Sequence, residues 1–159
     1  MRRMTPRARQ LIADLQLAPH PEGGHFRRIY ESATALESNG RRRPALTAIH
    51  FLLTAGETSR WHRVDADEAW HWQEGEALEL RIFDPVRDVL AVRVLDRFGQ
   101  GAPMHVVPAG HWQSARALGE HALVCCTVSP GFVWEGFELL RDDDPLAQRL
   151  DAMPPAAGT

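Results

Sequence analysis

The stretch GETSRWHRVDADEAWHWQEG, residues 56–75, decides how this chain folds and where its chemistry lies. It places His62, Glu68 and His71 among tryptophans, in a run with the composition of two short strands. Histidine and glutamate at such spacing serve in a metal site, in an acid/base pair, or as the polar lining of a pocket. The residues around them distinguish these three interpretations.

Strand alternation divides the side chains of this stretch between two faces. His62 and Val64 share one face of the first strand, and Glu68 and Trp70 share one face of the second. When those faces point inward, His71 points outward. The pattern therefore predicts His62 and Glu68 as inward-facing candidates and removes His71 from the site.

The rest of the chain indicates a mainly β protein of antiparallel strands. A short amino-terminal helix is predicted at about residues 6–17, capped by Thr5. About ten β-prone segments follow, separated by turn-forming sequences such as FGQGAP and ALGE, and Asp144 predicts a short carboxy-terminal helical turn. With no internal repeat or long linker, the sequence predicts one domain over residues 1–159, with a sandwich or barrel at about 20–140.

Composition and charge narrow the choice of partners. The formal net charge is -3, which disfavours nucleic acid and an anionic membrane surface. None of the 18 basic residues is lysine, so Schiff-base chemistry and a phosphate-loop lysine are excluded. Cys125 and Cys126 are adjacent in a strand-like run without disulfide spacing, and we see no signal sequence or apolar run of membrane length. We therefore expect a soluble protein in the reducing cytoplasm.

The intervals within residues 56–75 resemble the first motif of the cupin superfamily. In that motif a glycine, an H-x-H pair, a glutamate and a closing glycine follow one another at the intervals found here. The four matching positions are Gly56, His62, Glu68 and Gly75. Val64 stands where a metal-binding relative would carry its second histidine.

The second cupin motif is matched only in part. Pro108 and Gly110 fit its proline and glycine, whereas Gln113 stands at the third histidine and Ala117 at the asparagine. The leading glycine, Gly101, is one residue out of step. The resemblance thus implies a cupin scaffold that lacks part of the usual ligand set.

Five further motifs extend the resemblance, in the order HPEGG, LTAIHFLL, WHRVDADEAWHW, VPAGHWQ and TVSPGF. As a set they are similar to a bacterial and fungal cupin-like family of unknown function, over about residues 20–140. That family implies an RmlC-like jelly-roll β-barrel, commonly a homodimer, similar in fold to sugar-nucleotide epimerases and plant seed storage proteins. It implies no particular reaction, because one fold hosts many.

A metal at the predicted site would find His62, Glu68 and the carbonyl oxygen of Gln113. Catalytic zinc normally takes three strong ligands, and non-haem iron takes two histidines and a carboxylate. One histidine, one carboxylate and one neutral amide make a weaker set. No cofactor is therefore favoured, and one divalent metal remains an alternative.

An acid/base pocket is the preferred interpretation. A histidine beside a carboxylate in a partly desolvated pocket titrates near neutral pH and can move a proton. We assign His62 as the acid/base group and Glu68 as the residue that orients it. Arg27 is expected to anchor an anion and Trp70 to form an apolar wall. The expected ligand-binding residues are Glu22, Arg27, Trp70 and Gln113.

We predict that the protein is a metal-independent homodimer that binds a small polar metabolite, such as a sugar derivative or an organic acid. The prediction extends to isomerisation or epimerisation of that metabolite. Two alternatives remain open: a metal-dependent cupin oxygenase or decarboxylase, and a non-catalytic sensor or storage-like barrel. The other histidines, including His20, follow no ligand spacing and are assigned to the surface or to sheets. The run Arg41–Arg43 is interpreted as a solvated loop.

Overall fold

The computed structural model describes residues 4–157, and its architecture is mainly β, as predicted. Thr5 caps the first helix, α1 (Pro6–Asp14): its hydroxyl oxygen accepts a hydrogen bond from the amide of Ala8 at 3.2 Å. The helix ends before the predicted boundary at residue 17, because Gln16 adopts a left-handed conformation with φ 53°. Neither helix of the described residues is long and apolar enough to cross a membrane.

Thirteen strands follow α1 within the described residues, rather than the ten or so predicted. In chain order, β1 to β13 are Ala18–Pro19, His25–Glu31, Ala35–Ser38, Arg41–Pro44, Thr47–Thr54, Thr58–Val64, Asp67–Gly75, Leu78–Asp84, Val89–Leu95, Met104–Val107, Trp112–Ala117, His121–Ser129 and Phe137–Leu139. The second helix, α2 (Pro145–Ala152), begins at Asp144, whose carboxylate accepts a hydrogen bond from the amide of Leu146. The predicted carboxy-terminal helical turn is thus a helix of eight residues.

The strands form two antiparallel sheets and one separate hairpin. The six-stranded sheet has the order β1-β2-β5-β12-β7-β10, and the five-stranded sheet has the order β13-β6-β11-β8-β9. Strands β3 and β4 form the hairpin. Several pairs of consecutive strands are divided between the two sheets: β5 and β6 lie in different sheets, and so do β7 and β8. This arrangement is the jelly roll implied by the resemblance.

Apolar side chains from both sheets form the core between them. Phe51 and Trp70 of the six-stranded sheet pack edge to face at 5.8 Å, against Leu80 and Leu95 of the other sheet. A second cluster, which includes Leu150, packs α2 against the five-stranded sheet. These contacts fill one part of the interior and leave the part beside β2, β6 and β13 open.

Two glycines allow the HPEGG segment to lie directly against the sheets. Gly23 has φ 107°, and a Cβ there would lie 2.6 Å from the carbonyl oxygen of Thr58. Gly24 has φ 75°, and a Cβ there would lie 2.8 Å from the carbonyl oxygen of Leu52. Because only glycine fits both the conformation and the space, this close approach fixes Glu22 beside β6.

The run Arg41–Arg43 is strand β4, and its prediction as a solvated loop was wrong. The Arg43 side chain is fully buried and pairs with Asp65 at 2.9 Å. Its Nε also donates to the carbonyl oxygen of Gly131 at 2.7 Å. Alternation explains the error: along one short strand, Arg43 points inward while Arg42 is exposed.

Candidate functional site

A cavity of about 400 Å³ opens between the two sheets, on the side away from the filled core. His62 and Val64 of β6 line one wall, and Glu68 of β7 with Cys126 of β12 lines the other. Glu22, from the loop before β2, adds a buried carboxyl group beside β6. The volume suits a small metabolite, and the buried polar groups distinguish it from a packing defect.

His62 forms a buried pair with Glu22, not with Glu68 as predicted. Its Nδ1 lies 2.7 Å from the backbone carbonyl oxygen of Arg60, which can only accept, so Nδ1 carries a proton. Its Nε2 lies 3.0 Å from Glu22 Oε2. When the ring is neutral, Nε2 is an acceptor, and the proton in that contact belongs to Glu22. The pair thus shares one proton between a carboxyl group and an imidazole.

Burial sets where that proton lies. Desolvation raises the pKa of Glu22 well above its ordinary value, and the nearby Glu68 carboxyl raises it further. Desolvation also lowers the pKa of His62 to about 4. Both directions favour a protonated Glu22 beside a neutral His62, so Glu22 is the proton donor of the pair. Ser59 donates to the other oxygen of Glu22 at 3.1 Å and holds the carboxyl group in place.

Glu68 belongs to a second buried chain of hydrogen bonds. Gln113 donates to Glu68 Oε2 at 2.8 Å, and Trp70 donates its indole N–H to the amide oxygen of Gln113, also at 2.8 Å. Desolvation raises the pKa of Glu68 to about 7, against the hydrogen bonds from Gln113 and Cys126 that lower it. Near neutral pH this carboxyl group is therefore divided between its acid and base forms.

These two systems give the cavity one proton donor and one group that titrates near neutral pH. Glu22 and His62 stand at the β6 wall, whereas Glu68 stands at the β7 wall in the opposite sheet. A ligand in the cavity therefore lies in a space lined by one group that can accept a proton and one that can donate a proton. Cys126 does not compete as a nucleophile, because burial raises the pKa of its thiol well above the ordinary value.

Three of the four predicted ligand-binding residues, Arg27, Trp70 and Gln113, do not line the cavity. Arg27 is exposed and bonds to Gln16 through its side chain, because alternation along β2 points Arg28 into the cavity in its place. Trp70 is buried in the core and supports Gln113 without forming a cavity wall. Gln113 is likewise buried and acts on the site through Glu68. Glu22, the fourth predicted residue, lines the cavity.

The sequence interpretation missed His20. It lines the cavity, and its Nδ1 accepts a hydrogen bond from the backbone amide of Glu22 at 3.1 Å. Burial lowers its pKa to about 4, so the ring is neutral. The HPEGG motif carried the available signal, because a histidine two residues before a glutamate in a glycine turn can fold back on it.

Three aromatic side chains near the cavity were also not predicted from the sequence, because they come from segments distant in sequence from His62 and Glu68. Phe132, Trp134 and Phe137, here called the aromatic cluster, border the cavity at its mouth. Their ring centroids lie 5.0 to 5.8 Å apart, and each pair is edge to face. The TVSPGF motif pointed to the first of them without indicating that it faces the site.

The residues present do not fit the metal site that a cupin scaffold implies. The described residues hold no group of three or more His, Cys, Asp or Glu side chains arranged to bind a metal ion. Val64 brings an apolar side chain to the wall where a second histidine would be. Gln113 already uses its amide oxygen for Trp70 and its amide nitrogen for Glu68. His62 and Glu68 are thus left without a third partner of the expected kind.

Comparison with known proteins agrees with this architecture. Residues 9–140 match the family model described as Cupin superfamily (DUF985). The chain belongs to the cupin superfamily. No curated protein matches the sequence.

Solved structures extend the comparison of this cupin. A protein from Shewanella oneidensis is 33% identical, with a TM-score of 0.80, over 94% of this chain and 98% of that one. A hypothetical protein from Leishmania major is 29% identical, with a TM-score of 0.81, over 89% of this chain and 90% of that one. Oxalate decarboxylase from Bacillus subtilis is 17% identical, with a TM-score of 0.58, over 77% of this chain and 29% of that one. The last comparison supports the shared fold alone.

Proposed function

We propose that this cupin binds a small polar metabolite in the cavity and exchanges a proton with it, as a metal-independent isomerase or epimerase does. The observation that carries the proposal is the buried pair of Glu22 and His62, which faces Glu68 across the cavity. Ionisable groups are seldom buried without a use for them, and here three of them surround one open volume. The homodimer and the cytoplasmic location stay predictions.

The chemistry follows from the protonation states. Glu68 in its carboxylate form removes a proton from a carbon atom next to a carbonyl group, and the electron pair moves onto the carbonyl oxygen. Glu22 then delivers its proton to the same carbon atom and becomes a carboxylate beside the neutral His62, and proton exchange with water restores the starting forms of Glu22 and Glu68. One C–H bond breaks and one forms, so the product is an isomer of the substrate and no oxidant is needed. The role first assigned to Glu68, orienting His62, passes to Glu22.

Hydrogen exchange at carbon tests the proposal. Metabolites that raise the melting temperature would be incubated with the protein in D₂O and followed by proton NMR for loss of a C–H signal and for the signals of the isomer. We expect Glu22→Gln to retain ligand binding, since the amide can still contact His62, and to slow formation of the isomer by about 100-fold or more, while Glu68 still exchanges the C–H hydrogen. Glu120→Gln, an exposed substitution outside the cavity, is the matched control. Isomer formation by Glu22→Gln at the wild-type rate would exclude the proposed proton donor.

Metal removal is expected to leave the protein unchanged. Because the described residues lack a fitting ligand set, dialysis against EDTA should shift the melting temperature by less than about 1 °C. Elemental analysis of protein purified without chelator provides the second measurement. One equivalent of a transition metal, whose removal lowers the melting temperature, would contradict the metal-independent mechanism and favour the oxygenase or decarboxylase alternative.

A further inference from the structure

Within the described residues, the carboxyl groups of the cavity have no permanently charged partner in contact. Glu22 contacts Ser59 and His62, and Glu68 contacts Gln113, all of which are neutral in the protonation states derived above. Arg28, the one arginine among the described residues that line the cavity, is exposed and pairs with Glu31 at 3.8 Å. In the part of the chain that the structure describes, the two buried acids therefore have no arginine or lysine contact to balance their charge when they ionise.

The mouth of the same cavity is aromatic. Polarity changes with depth: Trp134 is 51% exposed, Phe132 and Phe137 are half-buried, and Glu22 and Glu68 are buried. The aromatic rings meet edge to face and do not stack in parallel. Phe132 already attracts a cation, since the guanidinium carbon of Arg28 lies 5.9 Å from its ring centroid.

We propose that the ligand of this cavity carries a positively charged organic ammonium group, held between the aromatic cluster on the outer side and the Glu22 and Glu68 carboxyl groups on the inner side. The inference rests on the proposed function, because it names the substrate class of the same site. Aromatic faces attract ammonium ions through the ring quadrupole, and the buried carboxyl groups gain the counter-charge that the protein does not supply. A neutral ligand of the same shape provides neither interaction.

Binding of such a cation is linked to proton release. A positive charge beside Glu68 favours its carboxylate form, so binding lowers the pKa of that group below about 7 and expels a proton near neutral pH. Affinity should therefore rise as the pH increases from 6 to 8. The titratable and charged groups that border the cavity are His20, Glu22, Arg28, Glu31, His62, Glu68, Cys126 and Glu135. Because His20 and His62 are neutral above a pKa of about 4, the titration in this range belongs to the buried carboxyl groups, with Glu68 at a pKa of about 7 and the pKa of Glu22 raised by burial.

The test uses the intact chain and a matched pair of probes, choline and its neutral isostere 3,3-dimethylbutan-1-ol. Isothermal titration calorimetry at pH 8 should show choline binding at least about tenfold more tightly. Choline affinity should fall at pH 6, and buffers of different ionisation enthalpy should reveal proton release. Glucose, citrate and manganese(II) serve as probes of the other chemical classes.

Two variants test separately how the carboxyl side and the aromatic side of the site contribute to choline binding. Glu68→Gln should reduce the pH dependence of choline binding between pH 6 and pH 8, and Trp134→Leu should weaken choline binding about fivefold. Phe98→Leu, at an exposed aromatic outside the cavity, is the control for Trp134→Leu. Glu68→Gln keeps the side-chain volume near the original, and Trp134→Leu changes an exposed residue, so both variants should fold. Thermal unfolding transitions at pH 5 that match the wild type would verify this.

The outcomes separate this inference from the proposed function. Equal binding of choline and its isostere overturns the ammonium assignment, as does preference for glucose, citrate or manganese(II). A neutral ligand that undergoes hydrogen exchange would then preserve the proposed function without the ammonium group. If no probe binds and no metabolite raises the melting temperature, both proposals fail.

Discussion

Replacing Glu68 by glutamine is expected to stabilise the protein increasingly as the pH rises, by about 3 kcal/mol between pH 5 and pH 8. In the folded state Glu68 keeps its proton until the pH reaches about 7, because burial opposes its ionisation. In the unfolded chain it releases the proton near its ordinary pKa of 4.5. Between these values the unfolded state binds fewer protons, so raising the pH favours unfolding of the wild type. Because glutamine cannot ionise, the free energy of unfolding of the variant does not fall in this way as the pH rises.

Urea denaturation of wild type and Glu68→Gln at pH 5 and pH 8 measures the effect. His20 and His62, whose folded pKa values lie near 4, change the stability of both proteins in the same direction, so their contribution cancels in the difference. The exposed substitution Glu120→Gln should leave the pH profile of the wild type unaltered. A constant difference between wild type and Glu68→Gln at the two pH values would show that Glu68 ionises normally.

The Glu68→Gln variant would also show how much folding stability the protein loses by keeping this carboxyl group in the site. A carboxyl group that lowers stability at working pH is selected against unless it serves a function. If Glu68→Gln is more stable at pH 8 but no longer exchanges hydrogen with a ligand, stability and activity oppose each other at one residue. That combination would assign Glu68 to function and not to the support of the fold.

Arg43→Ala is expected to destabilise the protein by about 3 kcal/mol. The guanidinium is fully buried, pairs with Asp65, and donates to the carbonyl oxygens of Gly131 and Pro130 at 2.7 and 3.4 Å. Alanine removes these bonds and leaves a void that water must fill or the chain must close. Equilibrium denaturation in urea at pH 7 measures the change.

Arg42 supplies the matched control, because it is the exposed neighbour on the same strand. Arg42→Ala should change the free energy of unfolding by less than about 0.5 kcal/mol. Arg43→Lys should recover only part of the loss, since an ammonium group cannot reproduce the forked geometry of the guanidinium. Equal stability of the two alanine variants would show that the buried network contributes nothing. Because Gly131 precedes Phe132 of the aromatic cluster, Arg43→Ala should also weaken ligand binding.

The sequence predicted the scaffold well because the scaffold depends on local patterns. The spacing of Gly56, His62, Glu68 and Gly75 led to the cupin resemblance, which the family comparison supports. Alternation within β6 and β7 placed His62 and Glu68 in the interior. Thr5 and Asp144 begin the two helices as capping chemistry requires.

Strand alternation did not predict the correct face where the sequence did not show which residue of the strand is the first to point inward. Arg27 was assigned to the ligand site as an anion anchor, but it is Arg28 that lines the cavity. A strand pattern with charged residues at successive positions does not reveal which of them lies on the cavity side, because arginine occupies both faces of a sheet. The same ambiguity concealed the burial of Arg43 between two exposed or partly exposed neighbours.

What the sequence alone determined is the family, the jelly-roll architecture, and the presence of His62 and Glu68 in its interior. The tertiary structure alone decided their partners. Glu22 reaches His62 from 40 positions earlier in the chain because two glycines let the HPEGG turn lie against β6, and Gln113 reaches Glu68 across from β11. The structure also brought the aromatic cluster to the same opening. Hydrogen bonds and desolvation act through space, and no local pattern encodes contacts between segments so far apart in the chain.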